Sequence, residues 1–269
     1  DAKLPTLVAE DSGEFIMRDV YAGISPPVER GRVKYIRICE EVRANLEIMP
    51  NGEYRKDHDP EYFDWYATPV NKVWGPYGWT TYVAKAPHGL VPVEEDGSAH
   101  FRAPAGKVLY FEALDEDFNE LQRMRSVVQL QPGEKRSCIG CHEQRQLAPA
   151  NTRRLTAKGP VEPQLAEWEG VPFSYEKIVQ PVLDKNCVQC HNENHKEGLD
   201  LRGVLDDDKV PASYRTLVSK GLVHHADMQY NAGGCEKIPP LSLGTLKSKL
   251  WDVLNAGHHD VKLTRDEVL

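Results

Sequence analysis

Two copies of one short motif, Cys-x-x-Cys-His, carry the most specific chemistry in this chain. The first runs from Cys138 to His142 and the second from Cys187 to His191. Two intervening residues let the backbone turn so that both thiols face one side, and the next residue brings its imidazole close to them. This spacing is the attachment signature of c-type haem, in which both sulfurs form thioethers with the vinyl groups and the histidine ligates the iron.

Zinc binding and dithiol redox chemistry are the alternatives, because a Cys-x-x-Cys pair occurs in both kinds of site, and two pairs together could hold one tetrahedral zinc ion. Neither alternative uses the histidine after each second cysteine. With this number of Cys and His residues, a random match to the full motif is expected only about 0.005 times per chain. The spacing therefore predicts two covalently attached c-type haems. Their thioethers are assigned to Cys138, Cys141, Cys187 and Cys190, and their proximal ligands to His142 and His191.

The second haem also needs a ligand on the other side of its iron, and several candidates follow the second motif. A methionine there would give a high reduction potential and a second histidine a lower one. His258 and His259 lie just ahead of a helix start near the end of the chain, and we favour His258. The alternative is that both are surface residues. The candidates are Met228, His224, His225, His258 and His259.

No single residue stands out as the distal ligand of the first haem. Met124 lies 14 residues ahead of the first motif, some histidines follow the second motif, and others lie in the N-terminal half. An absent ligand is the remaining alternative, and a five-coordinate iron would then be the place where a substrate binds. The candidates are Met124, His195, His224, His225, His58, His88 and His100.

Composition and charge limit the partners. The formal net charge is −8 and 40% of the residues are hydrophobic. Phosphate binding needs clustered Lys and Arg, so nucleic acid is excluded, and redox proteins or other subunits are the expected partners. No apolar run approaches the roughly 18 to 20 residues of a membrane helix.

Cys39 and Cys235 are left over from the motifs, and they either pair in an oxidising compartment or stay as free thiols.

Hydrophobic patterns predict an α+β fold, in which an N-terminal β-rich domain, a meander or sandwich, precedes a mainly helical domain. Alternating residues on both sides of Asp96-Gly97 are typical of a hairpin. A phase slip between Tyr35 and Ile36 indicates a bulge or burial on both faces. The aromatic-rich stretch 54–82 is interpreted as a loop-rich packing layer.

The second half begins after a proline-rich connector. Ser174 opens an amphipathic helix that Pro181 confines to its first turns or kinks, and this helix leads into Cys187. Such an approach to Cys-x-x-Cys-His is similar to the start of class I cytochromes c. Thr264 and Glu267 predict a capping box for a last helix, and because the chain stops shortly afterwards, we expect the native protein to continue. The predicted division is 1–135 for the β-rich domain, 136–172 for the first haem attachment and connector, and 173–269 for a cytochrome c-like domain truncated at its C-terminus.

Several stretches of the chain resemble known haem proteins. Those that resemble the hydrazine synthase alpha-subunit family are Phe101 to Gly106, Leu114 to Asp117, Met124 to Ser126, Pro132 to Glu134 and Ser137 to Glu143. Those that resemble planctomycete-type cytochrome c domains are Gln180 to Asp184, Gly198 to Leu201 and Gly257 to Leu263. The resemblance covers roughly residues 90 to 269.

This resemblance implies two haems with different roles. In hydrazine synthase a tyrosine four residues after the motif histidine ligates the catalytic iron, whereas this chain has Gln146 there. Hydrazine-forming activity therefore does not transfer directly, and ligation by His142 becomes the expectation. For the second haem the resemblance implies bis-histidine ligation by His191 and His258. It also implies an extracytoplasmic location, either the periplasm or an equivalent compartment such as the anammoxosome, and a β-propeller ahead of these domains that this sequence lacks.

Two redox functions are possible for a chain with these motifs. The first is a dihaem c-type cytochrome, an electron-transfer protein or redox subunit, which the spacing of the motifs and the acidic composition favour. The alternative is a haem enzyme whose first haem is five-coordinate and acts on a small nitrogenous or peroxide substrate, with electrons supplied by the second haem. Dihaem peroxidases are an example, but they usually separate their motifs by a full domain. A zinc scaffold is a third reading, against which the two motif histidines argue.

Overall fold

A computed structural model provides the fold of most of the chain. The residues that it describes are 11–42, 46–48, 54–56, 84–124, 126–141, 159–166, 168–169, 173–207, 210–224 and 239–269. Most of the aromatic-rich stretch, including all of its tryptophans, lies outside these ranges.

The described part of the N-terminal half contains nine strands. They are β1 (Ser12–Met17), β2 (Tyr35–Val42), β3 (Leu46–Ile48), β4 (Tyr54–Lys56), β5 (Ala84–Pro92), β6 (Ala99–Pro104), β7 (Leu109–Leu114), β8 (Glu120–Arg123) and β9 (Lys135–Cys138). Three sheets result, with the strand orders β6-β1-β9, β5-β2-β7-β8 and β3-β4. The pairing is antiparallel except between β1 and β9, which run parallel.

The two larger sheets pack face to face around one hydrophobic core. Phe15 of β1 and Phe101 of β6 come from one sheet, and Phe111 of β7 comes from the other. The Phe111 ring meets both of the others edge-on, with centroids 4.9 and 5.5 Å apart. These phenylalanines occupy alternate, inward-facing positions, as expected for strands that bury one face. The arrangement is a β-sandwich, so the predicted β-rich N-terminal half and α+β class are confirmed.

The predicted hairpin around Asp96-Gly97 is wrong in its pairing. A tight turn does form, because the N–H of Gly97 donates to the Glu94 carbonyl at 2.8 Å and the N–H of Glu94 to the Ser98 carbonyl at 2.8 Å. However, β5 before the turn pairs with β2, while β6 after it pairs with β1 of the other sheet. The chain therefore crosses between sheets here, which the local alternation of residues does not reveal. The sequence predicts a phase slip between Tyr35 and Ile36. The structure has a register shift nearby, between Arg37 and Cys39, in the pairing of β2 with β5.

The described part of the connector is bound to both sheets by its backbone. Val161 exchanges hydrogen bonds with strand β6, and Gln164 forms a reciprocal pair with Leu90 of β5 at 2.8 and 2.9 Å. Gly89 makes room for this contact, since a β-carbon there would lie 2.7 Å from the Gln164 carbonyl oxygen. Further on, the N–H of Phe173 donates to a β5 carbonyl at 2.7 Å. The described part of the connector therefore runs along the sandwich. These contacts fix the point at which the segment that carries the second motif begins.

Short helices are the regular elements of the second half, and turns and irregular segments connect them among the described residues. The helices are α1 (Gln180–Asn186), α2 (Ala212–Ser219), α3 (Lys249–Asn255) and α4 (Arg265–Val268), with a π-helical turn at Tyr175–Val179 and a 3-10 turn at Thr245–Lys247. Ser174 caps the first turn through its hydroxyl, and Pro181 lies in the first turn of α1, where its missing N–H costs nothing. The predicted capping box of Thr264 and Glu267 is present. A small core of Leu183, Leu201 and Leu217 holds α1 and α2 together.

The segment ahead of α3 binds the sandwich. The N–H of Leu241 donates to the Leu121 carbonyl of β8 at 2.9 Å. The Thr245 hydroxyl donates to the Asn119 side-chain oxygen at 2.9 Å. These contacts lie along the edge strand of the four-stranded sheet, so the two halves of the chain share an interface. No helix among the described residues has the length and apolar character needed to cross a membrane.

Candidate functional site

The first Cys-x-x-Cys-His motif continues strand β9 at the edge of the three-stranded sheet. Cys138 is the last residue of β9, and the N–H of Arg18 donates to its carbonyl at 2.9 Å. The N–H of Asp19 donates to the Ile139 carbonyl at 3.0 Å. Main-chain pairing therefore holds the start of the motif against the sandwich. Its predicted proximal ligand, His142, lies outside the described residues.

Gly140 occupies the tightest point of the first motif. A β-carbon there would lie 2.4 Å from the Ala22 carbonyl oxygen and 2.9 Å from the Asp19 carbonyl oxygen. Both oxygens belong to the backbone of the turn after β1, so they cannot move aside as a flexible side chain would. The path of the chain between the two cysteines therefore requires glycine.

The cysteines of the first motif pack against the core of the sandwich. Burial raises the pKa of the Cys141 thiol to about 12, and the nearby Cys138 adds to this shift. Such a thiol stays protonated at neutral pH, whereas dithiol redox centres depend on a readily formed thiolate. An uncharged thioether suits these apolar surroundings.

The second motif follows α1 without interruption and forms one tight turn. The N–H groups of Cys190 and His191 both donate to the Cys187 carbonyl, at 3.1 and 2.9 Å. Cys187 packs against the small core of the helical half, and this burial raises the pKa of its thiol, whereas Cys190 is exposed. One cysteine of the pair therefore faces the interior and the other faces the surface.

Three other histidines lie close to His191, the predicted proximal ligand of the second motif. The ring centroid of His195 is 4.7 Å from that of His191, with the planes 27° apart. The ring of His258 lies 5.8 Å from that of His191, with the planes 28° apart. His259 meets the ring of His258 edge-on at 4.5 Å. The fold therefore brings His258 beside His191, while His259 contacts His258.

A turn after α3 presents His258. Helix α3 ends at Asn255, and Gly257 then takes φ 85°, a left-handed conformation that costs glycine little. The N–H of Val261 donates to the His258 carbonyl at 3.0 Å and closes the turn. His259 has φ 47°, which costs a non-glycine residue about 1 kcal/mol.

The surroundings of His191 favour its neutral form. Burial lowers the pKa of His191, and the neighbouring imidazoles of His195, His258 and His259 lower it further. Its Nδ1 atom is buried and has no hydrogen-bond partner among the described residues. A neutral imidazole is the form that ligates a metal, because its second nitrogen then keeps a free lone pair.

An apolar cavity of about 930 Å³ lies beside the second motif. Cys187 is on its wall, together with Val182 and Leu183 of α1 and with Leu250 and Trp251 of α3. Binding sites for cofactors usually have volumes of about 300 to 1,000 Å³ and mostly apolar walls. The remaining lining residues are Trp168, Phe173, Ile178, Val179, Thr245, Leu254 and the segment 263–269.

Most other ligand candidates in the described residues have different partners. His88 Nε2 is 2.7 Å from Glu40 Oε2, and His100 Nε2 is 2.9 Å from Glu14 Oε2. Met124 packs against the sandwich core. His58, His225, Met228 and Cys235 lie outside the described residues, so both alternatives for Cys39 and Cys235, a disulfide or free thiols, stay predictions.

His195 is the residue whose position the sequence did not predict. The sequence makes it a candidate ligand of the first haem, and the structure stacks its ring on that of His191, the predicted proximal ligand of the second motif. The available signal is its spacing, four residues after His191, which lets a turn bring two side chains together. His224, another candidate, is exposed, and its N–H donates to Ser248 Oγ at 2.9 Å.

The second motif contains the residue types that a covalently attached haem would need. Within the described ranges, no group of three or more His, Cys, Asp or Glu side chains is arranged to hold a metal ion by itself. The four motif cysteines belong to these ranges and form no such group. A haem would instead need two thiols, an imidazole and an apolar wall. The second motif supplies the thiols and the imidazole, and Cys187 of this motif lines the apolar cavity.

Two comparisons with known proteins indicate similarity to hydrazine synthase. Residues 31–143, which include the first motif, match the family described as the hydrazine synthase alpha subunit middle domain. The fold resembles a solved structure of Kuenenia stuttgartiensis hydrazine synthase, with a TM-score of 0.53 and 18% sequence identity. The match covers 78% of this chain, which spans about a third (34%) of that protein chain.

At this level of identity, the likeness to the solved structure is one of fold. No curated protein matches the chain. The family match covers the part of the chain that carries the first motif. The family match and the likeness in fold therefore support a relation of the β-rich half of this chain to the hydrazine synthase alpha-like family.

Proposed function

We propose that the chain is a dihaem c-type cytochrome and acts as an electron-transfer module of a hydrazine synthase alpha-like redox protein. Cys138 and Cys141 would attach the first haem, with His142 on its iron. Cys187 and Cys190 would attach the second, with His191 and His258 on its iron. A bound haem would supply one-electron redox chemistry in each case. The expected setting is an extracytoplasmic compartment, with redox proteins or other subunits as partners.

The observation that carries this proposal is the pair of rings of His191 and His258. The two rings are stacked, with their centroids 5.8 Å apart and their planes 28° apart. The fold therefore brings together the two histidines that the resemblance assigns to the second haem, although they are far apart in the sequence. This proximity supports His258 as the second ligand.

The chain's own residues would prepare this haem for electron transfer. The lowered pKa of His191 keeps its imidazole neutral and ready to ligate. Cys187, which lines the apolar cavity, and the exposed Cys190 would hold the haem where a partner could approach the side of Cys190. Six-coordinate iron exchanges electrons with little change in its ligands, which is the requirement for a carrier.

The test compares three forms of the full chain. The pyridine haemochrome of the wild-type protein should give two c-type haems per chain. His258→Ala should turn one low-spin haem high-spin, while the matched variant His259→Ala should leave both spectra unchanged. A count below two haems, or an unchanged His258→Ala spectrum, would contradict the proposal.

A second candidate function is a haem enzyme with an open first haem. It is favoured by the contacts of His88 and His100, because the Nε2 atom of each faces a carboxylate and leaves only Nδ1 to ligate an iron. Carbon monoxide distinguishes the two functions. If the ferrous protein binds one CO per chain, the first haem has an open position that suits a small nitrogenous or peroxide substrate. If it binds none, both irons are six-coordinate and the carrier function stands alone.

A further inference from the structure

We infer that His195 is a positioning residue that sets the orientation of the His191 ring at the second haem. This inference rests on the proposed function, because it concerns the ligand of a haem attached there. It assigns a role to a histidine that the two motifs leave unexplained. His195 would act through His191 and would not itself touch the iron.

The first support is the contact between the two rings. Their centroids are 4.7 Å apart and their planes differ by 27°, so the His195 ring covers one face of the His191 ring. Rotation of His191 about its Cβ–Cγ bond would drive its edge into this neighbour. The contact therefore limits the ring to a narrow range of orientations.

The second support is the missing hydrogen bond at His191. A metal-bound histidine almost always donates its other ring N–H to a carboxylate, a carbonyl or water, which fixes the orientation of the ring. Here the Nδ1 atom of His191 is buried without such a partner among the described residues. Ring contact with His195 takes over the orienting role that the hydrogen bond usually has.

The third support is that His195 is itself held in place. Its Nδ1 accepts the backbone N–H of Glu197 at 3.3 Å, so a neutral ring carries its proton on Nε2. Its carbonyl accepts the N–H of Gly198 at 2.8 Å, and its own N–H donates to the Asn192 carbonyl at 3.0 Å. The Lys220 ammonium donates to the Glu197 carbonyl at 3.0 Å and ties this loop to the end of α2. A residue anchored at both its backbone and its ring can restrain another.

The experiment uses the full haem-loaded chain and records the ferric EPR spectrum of the second haem. Near-parallel axial imidazoles give a rhombic low-spin signal, and rotation of one ring toward the perpendicular raises the largest g value. His195→Ala should raise and broaden that g value. It should also increase the affinity of this haem for cyanide roughly 10-fold, because a loosened axial histidine is displaced more easily. His195→Phe, which keeps a flat ring in the same place, should restore the wild-type spectrum.

His224→Ala is the matched control, because His224 is exposed and contacts Ser248 through its backbone. It should leave the EPR signal and the affinity for cyanide unchanged. If His195→Ala has the wild-type spectrum, the positioning role is wrong, although the bis-histidine haem stands. If His195→Ala turns the haem high-spin as His258→Ala should, His195 is a ligand and the inference is overturned. If the Cys187→Ala, Cys190→Ala variant keeps two haems, the proposed function fails and the inference fails with it.

Discussion

The guanidinium of Arg37, in the middle of strand β2, donates to the backbone carbonyl of Leu269, 232 positions further along the chain, at 2.8 Å. The same side chain lies 3.9 Å from the carboxylate of Glu169, whose side chain is completely buried, and 3.6 Å from that of Glu112. Trp168, next to Glu169, donates its indole N–H to the Asp266 carbonyl at 3.1 Å. The sandwich, the connector and helix α4 therefore meet at Arg37.

Arg37→Met should lower the free energy of unfolding by about 3 kcal/mol, because removal of one partner leaves a buried carboxylate without its cation. Urea denaturation followed by circular dichroism measures this change. The control is Arg136→Met, which removes an ion pair with Glu134 at the surface and should cost less than about 1 kcal/mol. Equal losses in the two variants would mean that Arg37 does not join the halves.

Gly140→Ala should destabilise the sandwich by about 3 kcal/mol, because the new β-carbon would meet a backbone oxygen at 2.4 Å. Gly106→Ala serves as the control. Nothing lies within 4 Å of a β-carbon there, and only the φ of 70° opposes alanine, at a cost of about 1 kcal/mol. Thermal denaturation of both variants separates steric overlap from backbone conformation, and the prediction fails if Gly106→Ala is the less stable of the two.

Acid should weaken the attachment of α4 through Glu267. Hydrogen bonds from Lys185 and from the Thr264 N–H lower the pKa of the Glu267 carboxyl from 4.5 to about 2. A carboxyl with a lowered pKa in the folded state contributes stability that is fully present above pH 4.5 and is lost as the pH falls toward 2. Glu267→Gln keeps the capping box and should flatten this part of the stability curve, measured by urea denaturation from pH 5 to 2. Lys185→Met should also flatten it, and a slope that survives in both variants would rule out this origin.

The cysteines of the haem-free protein should react with iodoacetamide at very different rates. The pKa of Cys141, about 12 instead of 9, lowers its thiolate fraction at pH 8 by about a thousandfold. Cys190 is exposed and should be labelled first, whereas Cys141 and the buried Cys39 should be labelled last. Mass spectrometry of peptides at timed intervals gives the order. Labelling in 6 M urea is the control, and there the differences should disappear.

Local features of this protein follow from the sequence alone. The motif spacings, the helix that Ser174 caps, Pro181 in its first turn and the capping box at Thr264 depend on residues within a few positions of one another. The family resemblance around the first motif likewise rests on short stretches of residues, and the family match confirms it. Each of these features is decided by backbone chemistry within one or two turns of the chain.

The tertiary structure decided the relationships between distant parts of the chain. The alternating residues on both sides of Asp96-Gly97 suit a hairpin and a crossover equally well, and only the pairing of β6 with β1 distinguishes them. The stacking of His195 on His191, in place of a role at the first haem, depends on how the loop after the motif closes. The approach of His258 to His191 depends on the packing of α3 against the rest of the helical half. Strand partners and ring contacts of this kind are chosen by burial over the whole fold, and a linear pattern of residues does not record that choice.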